Sequence, residues 1–502
     1  MNKTLSKTSY LQGLKCERFL WLNHYNKDAI KSLTLSNISR IDSGRELGAL
    51  ARKMFPDGLL VPDSIFDLQE RLDLTAKWMK EGVDTIFEAT FLFNDVQVRI
   101  DILNKTKEGY NLYEVKEKTW KHTSKLTQKD FRKLVEDVSI QMYVLHGLGI
   151  QLNQAHLTLL DSSYALKSEL DLTKLFINIP VTEASDRIQQ LIPINLSQYK
   201  GILSNKNEEP PLVISSECKK CKAKEYCWKV LPEYNVFHLL GIRKSGFELY
   251  NQGIISVEDI SDDNDYSEDI NFLISQWKDK PSPTIDKEQI GNFLDSLVYP
   301  LFHLDFETFG PPVPLYENTS PFQAIAFQYS LHIEQKDESL EHKEFLGEPA
   351  NDPREGLIEN LIIDLEGESS IIVYSGYEKT ILKKLAKNFP KYESEIESII
   401  NRLKDFALVF KERYFYSWEL RGSHSLKQIM PLMVPEMSTR YKDLSESGAV
   451  SEGDGASMAF RQLIIEKDSI IINKIRSELL EYCKLDTEAM VQALRSLRVY
   501  SQ

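Results

Sequence analysis

The sequence predicts an α/β protein of two domains joined by a short helical linker. Three observations carry this reading. Strand-like alternation and helix-like spacing succeed one another in two separate stretches, an acidic and proline-marked segment lies between them, and each stretch sets carboxylates on the face of an otherwise apolar strand. The boundaries expected are a first domain over residues 1–232, a linker over 233–285 and a second domain over 286–502.

The chain has 502 residues, 42% of them hydrophobic, which suffices for two or three cores. No apolar run approaches a membrane span, and the stretch Met1 to Tyr10 has no apolar signal core. Five cysteines are few and odd in number, which argues against a secreted disulfide framework and for a reducing cytoplasm. The net charge of -14 argues against a basic nucleic-acid coat. The charge is uneven, with 35 Lys+Arg against 31 Asp+Glu in residues 1–250 and 26 against 44 in residues 251–502. A nucleic-acid partner would be drawn by the first half and by local patches.

Residues 1–30 read as one helix carrying Tyr10, Leu14, Cys16, Phe19 and Trp21. Taken alone, Cys16 is a small buried hydrophobe. A second helix is expected near Ser43 to Phe55, ending at Pro56-Asp57-Gly58. Strands follow at Phe87 to Phe93, Val96 to Leu103 and Tyr110 to Lys116, the first two joined by Asn94-Asp95. This places Asp101 at the end of one strand, with Glu114 and Lys116 on one face of its hairpin neighbour. Two carboxylates can hold a cation that activates water and polarises a phosphate, while a lysine positions the water and offsets phosphoryl charge. The same pattern also suits a solvated, cross-paired strand face. Lys129 to Gly149 is helical and carries Gln141, either a surface residue or one that reaches the strand carboxylates.

Cys218, Cys221 and Cys227 fall within ten residues, beside Lys219, Lys220, Lys222, Lys224 and Lys229. Three thiols so close among lysines call for a soft cation, and Cys16 can supply a fourth ligand. A zinc site usually pairs two Cys-x2-Cys units. This spacing has one such unit, a further cysteine and a distant partner, so an iron-sulfur cluster is the better choice and zinc the alternative.

These residues resemble the RecB-like branch of the PD-(D/E)XK nucleases. They are most similar to the CRISPR-associated adaptation nucleases and the AddB-type helicase-nucleases, in which one early and three late cysteines hold a 4Fe-4S cluster. The resemblance implies a restriction-endonuclease-like core with Asp101 and Glu114 as ligands of Mg2+ or Mn2+, Lys116 as catalytic lysine and Gln141 as motif glutamine. Many relatives carry a metal-binding histidine on the early helix, near Gly48 here, which leaves Glu88 or Glu46 to complete the metal shell.

The linker has paired Gly-Ile turns, at Gly241-Ile242 and Gly253-Ile254, which suggest either a helix-hairpin-helix or a spacer with glycine caps. Asp262-Asp263-Asn264-Asp265 and Pro281-Ser282-Pro283 mark the boundary. Beyond it, Asp305 and Glu307 alternate with apolar residues in Leu301 to Phe309 and therefore share one strand face, either a divalent-metal site whose cation offsets their repulsion or a solvent-facing acidic strand end. A strand is expected at Ile325 to Ile333. Another, at Ser370 to Tyr374, runs through Glu378 into a helix at Lys379 to Phe389. Asp405 follows a helix end, and Tyr482 and Asp486 stand four residues apart on a late helix.

This order resembles the DnaQ-like, ribonuclease H-fold exonucleases of the DEDD type in their tyrosine variant. The resemblance implies Asp305, Glu307 and Asp486 as ligands of two metals and Tyr482 as the water-positioning group. Glu378 stands where that family has Asp, with Asp405 the rival. Together the two halves look like a bacterial family of unknown function that fuses a RecB-like to a DnaQ-like nuclease. The expectation is a cytoplasmic DNA nuclease in repair or defence, with no membrane partner. RNA processing, or a nucleic-acid scaffold with a degenerate second site, is the alternative.

Overall fold

The computed structural model describes residues 4–32, 35–121, 128–238, 245–261, 266–437, 439–441 and 453–502. It is a mixed α/β chain of two compact units, Met1–Lys229 with Pro311–Phe322, and Val230–Gly310 with Gln323–Gln502. Among the described residues no helix is long and apolar enough to cross a membrane.

In the first unit the described strands are β1 (Leu5–Ser6), β2 (Leu59–Leu60), β3 (Thr85–Phe93), β4 (Val96–Thr106), β5 (Gly109–Trp120), β6 (Leu152–Asp161) and β7 (Phe176–Pro180). The sheet order is β2-β3-β4-β5-β6-β7, with β1 pairing in parallel to β4. β3, β4 and β5 form an antiparallel meander. Asn94 and Asp95 both take positive φ, 49° and 59°, the conformation a two-residue hairpin requires and Asn and Asp tolerate. β5 and β6 are parallel and joined across the helix Gln128–Gly147, whose Leu134, Val138, Met142 and Leu145 close one face of the sheet. The helix Leu35–Arg52 closes the other through Leu47 and Ala51.

The single helix expected over residues 1–30 is two, Lys7–Lys15 and Glu17–Tyr25, broken at Cys16. Cys16 is extended, with φ -166°, and its sulfur accepts the Phe19 amide at 3.4 Å, so it caps the second helix. Asp101 is also not at a strand end. It lies within β4, at the point where pairing to β5 stops, because the ladder runs only from Ile102↔Tyr113 to Thr106↔Gly109.

In the second unit the described strands are β8 (Thr284–Ile285), β9 (Leu301–Phe309), β10 (Ile325–Glu334), β11 (Leu340–Leu346), β12 (Ile371–Val373), β13 (Leu403–Asp405) and β14 (Phe415–Tyr416). The main sheet runs β11-β10-β9-β12-β13, antiparallel through β11, β10 and β9 and parallel beyond, which puts β9 at its centre. Phe302, Leu304 and Phe306 pack toward the helices Pro353–Asp364, Tyr377–Asn388 and Glu393–Asn401. The opposite face carries the 33-residue helix Ser469–Ser501. Alternation of side chains hands that second face to Leu301, His303, Asp305 and Glu307.

Asp405 ends β13 rather than following a helix directly, and Glu378 lies in the first turn of its helix rather than before it. In the linker, Gly253 takes φ 85° just past the helix Ser245–Asn251, a glycine cap. Gly241-Ile242 and Asp262-Asp263-Asn264-Asp265 lie outside the described residues.

Candidate metal centres

In the first unit β5 points Leu112, Glu114 and Lys116 to the face covered by Gln128–Gly147, where Asp137 and Gln141 stand one helical turn apart. Glu114, 2% exposed, accepts from Lys7 at 2.8 Å and Lys116 at 2.6 Å on Oε1 and from the Gln141 amide at 2.8 Å on Oε2. Asp137 accepts from Lys116 at 2.6 Å and pairs with Lys7 at 2.9 Å. Asp101 Oδ2 accepts the Val115 amide at 2.8 Å, so a side chain takes the place of a ladder bond where β4 and β5 part.

The charges are strongly perturbed. Burial, then the Glu114 carboxylate, pushes Asp101 up to about 7. Burial disfavours charge on Asp137 too, but the Lys7 and Lys116 ammoniums outweigh it and hold its carboxyl down at about 2. Burial opposes charge on Lys116 and on Lys7, yet Glu114 and Asp137 raise both above the ordinary lysine range. Glu88 has φ 56° and faces Arg99 at 3.2 Å and Arg52 at 3.9 Å. Burial raises its pKa, and its charge is felt at Asp101. Glu46 is exposed on its helix, and a Cβ on Gly48 would meet nothing within 4 Å. The sequence reading missed Lys7 and the role of Asp137. Lys7 precedes Glu114 by more than a hundred residues and only folding joins them.

Cys16, Cys218, Cys221 and Cys227 all line one cavity of about 540 Å³, which Lys7, Lys116 and Asp137 also line. Burial, first of several causes, raises the Cys16 and Cys221 thiols and pushes Cys227 up to about 11. The thiols are within electrostatic reach of one another, Cys227 sensing Cys221, Cys16 and Cys218.

In the second unit the ligand oxygens of Asp305, Glu307 and Asp486 lie within 4.8 Å of one another. Asp305 and Glu307 project from β9 opposite Ser330 and Gln328 of β10, and Asp486 descends from the long helix. Burial, then Asp486 and neighbouring carboxylates, raises Asp305 and Glu307 well above the usual carboxylate range. Burial raises Asp486 as well, against hydrogen bonds from Tyr441 and Tyr482. The Tyr441 hydroxyl donates to Asp486 at 2.6 Å, and Lys427 donates to the Tyr482 hydroxyl at 3.3 Å.

Glu378, 3% exposed, is outside the 4.8 Å group, but its charge acts on Asp305 and its Oε2 is buried without a partner. Burial, and then Asp405, pushes Glu378 up to about 7. Asp405 accepts the Ala407 amide at 3.0 Å and pairs with Lys411 at 3.5 Å. The neighbour Arg402 donates to the carbonyls of Leu365 and Ser369. Lys427, Tyr441 and Cys483 escaped sequence reasoning. The Cys483 thiol donates to Asp305 Oδ2 at 3.8 Å, a contact that its position beside Tyr482 on the helix hides.

Comparison with known proteins adds partial likenesses and no activity. A model described as a domain of unknown function (DUF2779) matches residues 302–425, a span that includes Asp305, Glu307, Glu378 and Asp405 and ends before Tyr482 and Asp486. An uncharacterized protein of Mycoplasma pneumoniae is 26% identical over 240 residues, 44% of this chain and 35% of that protein. An uncharacterized protein of Mycoplasma genitalium is 22% identical over 243 residues, 45% of this chain and 36% of that protein. The match spans about a third of the length of these curated relatives.

Proposed function

We propose that the chain is a metal-dependent DNA nuclease with two sites, a RecB-like site at Asp101, Glu114 and Lys116 and a DnaQ-like 3'→5' exonuclease site at Asp305, Glu307, Glu378 and Asp486, acting in repair or defence. The observation that carries this reading is the second carboxylate group. Three carboxylates within 4.8 Å, Glu307 buried and Asp305 and Asp486 half-buried, with Glu378, whose Oε2 is buried without a partner, acting on Asp305, are electrostatically untenable when all ionised without a cation. The donor set, all hard oxygens, fits Mg2+ or Mn2+. A divalent ion held there supplies water activation and charge neutralisation at a scissile phosphate. Asp486 fixes the Tyr441 hydroxyl, and Lys427 fixes that of Tyr482, which then serves to orient water.

At the first site the fit rests on buried Asp101 and Glu114 and on Gln141, whose Oε1 is buried without a partner. Lys116 offsets phosphoryl charge there. The four cysteines fit a 4Fe-4S cluster. Their support is that all four line one cavity and that the spacing has a single Cys-x2-Cys unit, a further cysteine and a distant partner, which suits a cluster better than zinc.

The test is incubation of the purified chain with labelled single- and double-stranded DNA and RNA under Mg2+, Mn2+ or EDTA, with Lys116→Ala, Asp305→Asn and the double variant alongside. Metal-dependent cutting of DNA lost only in the double variant supports two sites. Cutting of RNA alone redirects the reading to RNA processing, and binding without cutting supports a scaffold.

A further inference from the structure

Both oxygens of Glu114 are engaged. Its Oε1 accepts from both Lys7 and Lys116, and its Oε2 accepts from Gln141. The same two ammonium groups close on Asp137, Lys7 at 2.9 Å from Oδ1 and Lys116 at 2.6 Å from Oδ2. Two buried carboxylates and two lysines thus form a neutral ring in which each lysine bridges the same pair. Charge balance explains its persistence: two single positive charges do the work of one divalent ion, and each buried carboxylate keeps a partner.

The two lysines are held differently. Lys116 is two residues from Glu114 on β5, so strand geometry fixes it. Lys7 opens the helix Lys7–Lys15, directly behind the two-residue β1, whose hold on the sheet is the pairing Leu5↔Val96 and Ser6↔Gln97. Its side chain is 19% exposed, so it can turn to solvent without disturbing the sheet.

We propose that Lys7 ties Glu114 to Asp137 when no divalent ion is bound, and that its withdrawal toward solvent frees Glu114 for the ion. Lys7 therefore sets the metal affinity of the first site. This rests on the reading of Asp101 and Glu114 as a metal centre and adds its control. A state closed by Lys7 nine times in ten weakens apparent ion binding by about tenfold, since only the open fraction binds.

The experiment measures Mn2+ binding by electron paramagnetic resonance on the full chain carrying Asp305→Asn and Asp486→Asn, so that the first site is read alone. Lys7→Met, which keeps the length and removes the charge, is expected to bind Mn2+ about tenfold more tightly. Unchanged or weaker binding overturns the proposal. If Lys7→Met does not fold, the Asp305→Asn/Asp486→Asn chain itself decides: acylation of the Lys7 amine, read by peptide mass spectrometry, must rise severalfold when Mn2+ is added, and a constant or falling yield overturns the proposal. Loss of the bound ion in Glu114→Gln supports the site, and an unchanged stoichiometry there sinks both the proposal and the functional reading of this centre. Tighter binding in Lys7→Met by a chain that cuts no nucleic acid upholds the proposal and removes the functional reading alone.

Discussion

Replacing Glu378 by glutamine should stabilise the metal-free protein while removing the proposed 3'→5' activity. The carboxyl is buried at the start of the helix Tyr377–Asn388, one oxygen has no partner, and its pKa stands at about 7 against an ordinary 4.5. Because the folded pKa is the higher one, the folded state holds an extra proton between those values, and the parent protein loses stability as pH rises through that window. The loss amounts to about 3 kcal/mol once the pH exceeds both. Glutamine cannot ionise, so the variant should match the parent at pH 4 and exceed it by about 3 kcal/mol at pH 8, roughly 6–12 °C in melting temperature for a unit of this size. The assay is thermal unfolding in EDTA at both pH values. Exonuclease activity is then measured on a 5'-labelled single strand in a Lys116→Ala background with Mg2+ or Mn2+. Asp405→Asn, which loses the pairing with Lys411 but keeps an oxygen to accept the Ala407 amide, should cost at most about 1 kcal/mol and keep much of the activity. A Glu378→Gln variant that melts at or below the parent at pH 8, or a reversed activity ranking, would refute the assignment.

Lys116→Ala should lower cutting by the first site about a hundredfold, on the order of 3 kcal/mol, and Asp101→Ala by more, measured with Asp305→Asn in place. Wild-type rates in both would exclude that site. Protein purified without oxygen should be brown, absorbing near roughly 400 nm, and each of Cys16→Ser, Cys218→Ser, Cys221→Ser and Cys227→Ser should bleach it while Cys483→Ser does not. A colourless chain holding one zinc would contradict this. Glu334→Gln should destabilise the second unit by roughly 3 kcal/mol in denaturant titrations, because Glu334, 0% exposed, anchors Arg495 at 2.9 Å and Arg498 at 3.0 Å and stands 3.4 Å from His303. A loss under 1 kcal/mol would mean that the guanidiniums find water instead.

What could be read from the sequence was what repeats locally. Alternation put Asp305 with Glu307, and Glu114 with Lys116, on single strand faces; helical spacing put Tyr482 and Asp486 on one helix face, and the four cysteines picked out as a set do line one cavity. Misreadings fell where a local signal was overridden. Cys16 reads as helix interior by its neighbours, yet it is extended and caps the next helix, and Asp101 reads as a strand end although β4 continues past it.

The sequence by itself determined the mixed α/β class, the central acidic strand and the four cysteines, since each depends on chemistry within one short segment. Only the tertiary structure decided which groups share a charge. It brought Lys7 to Glu114 across 107 positions, Asp486 to Asp305 and Glu307 from the far end of the chain, Cys483 onto Asp305, and Lys427 and Tyr441 against the late helix. Such pairings follow from sheet order and helix packing, which close contacts between distant segments, and Coulomb interaction in a poorly solvated site depends on that final distance rather than on separation along the chain.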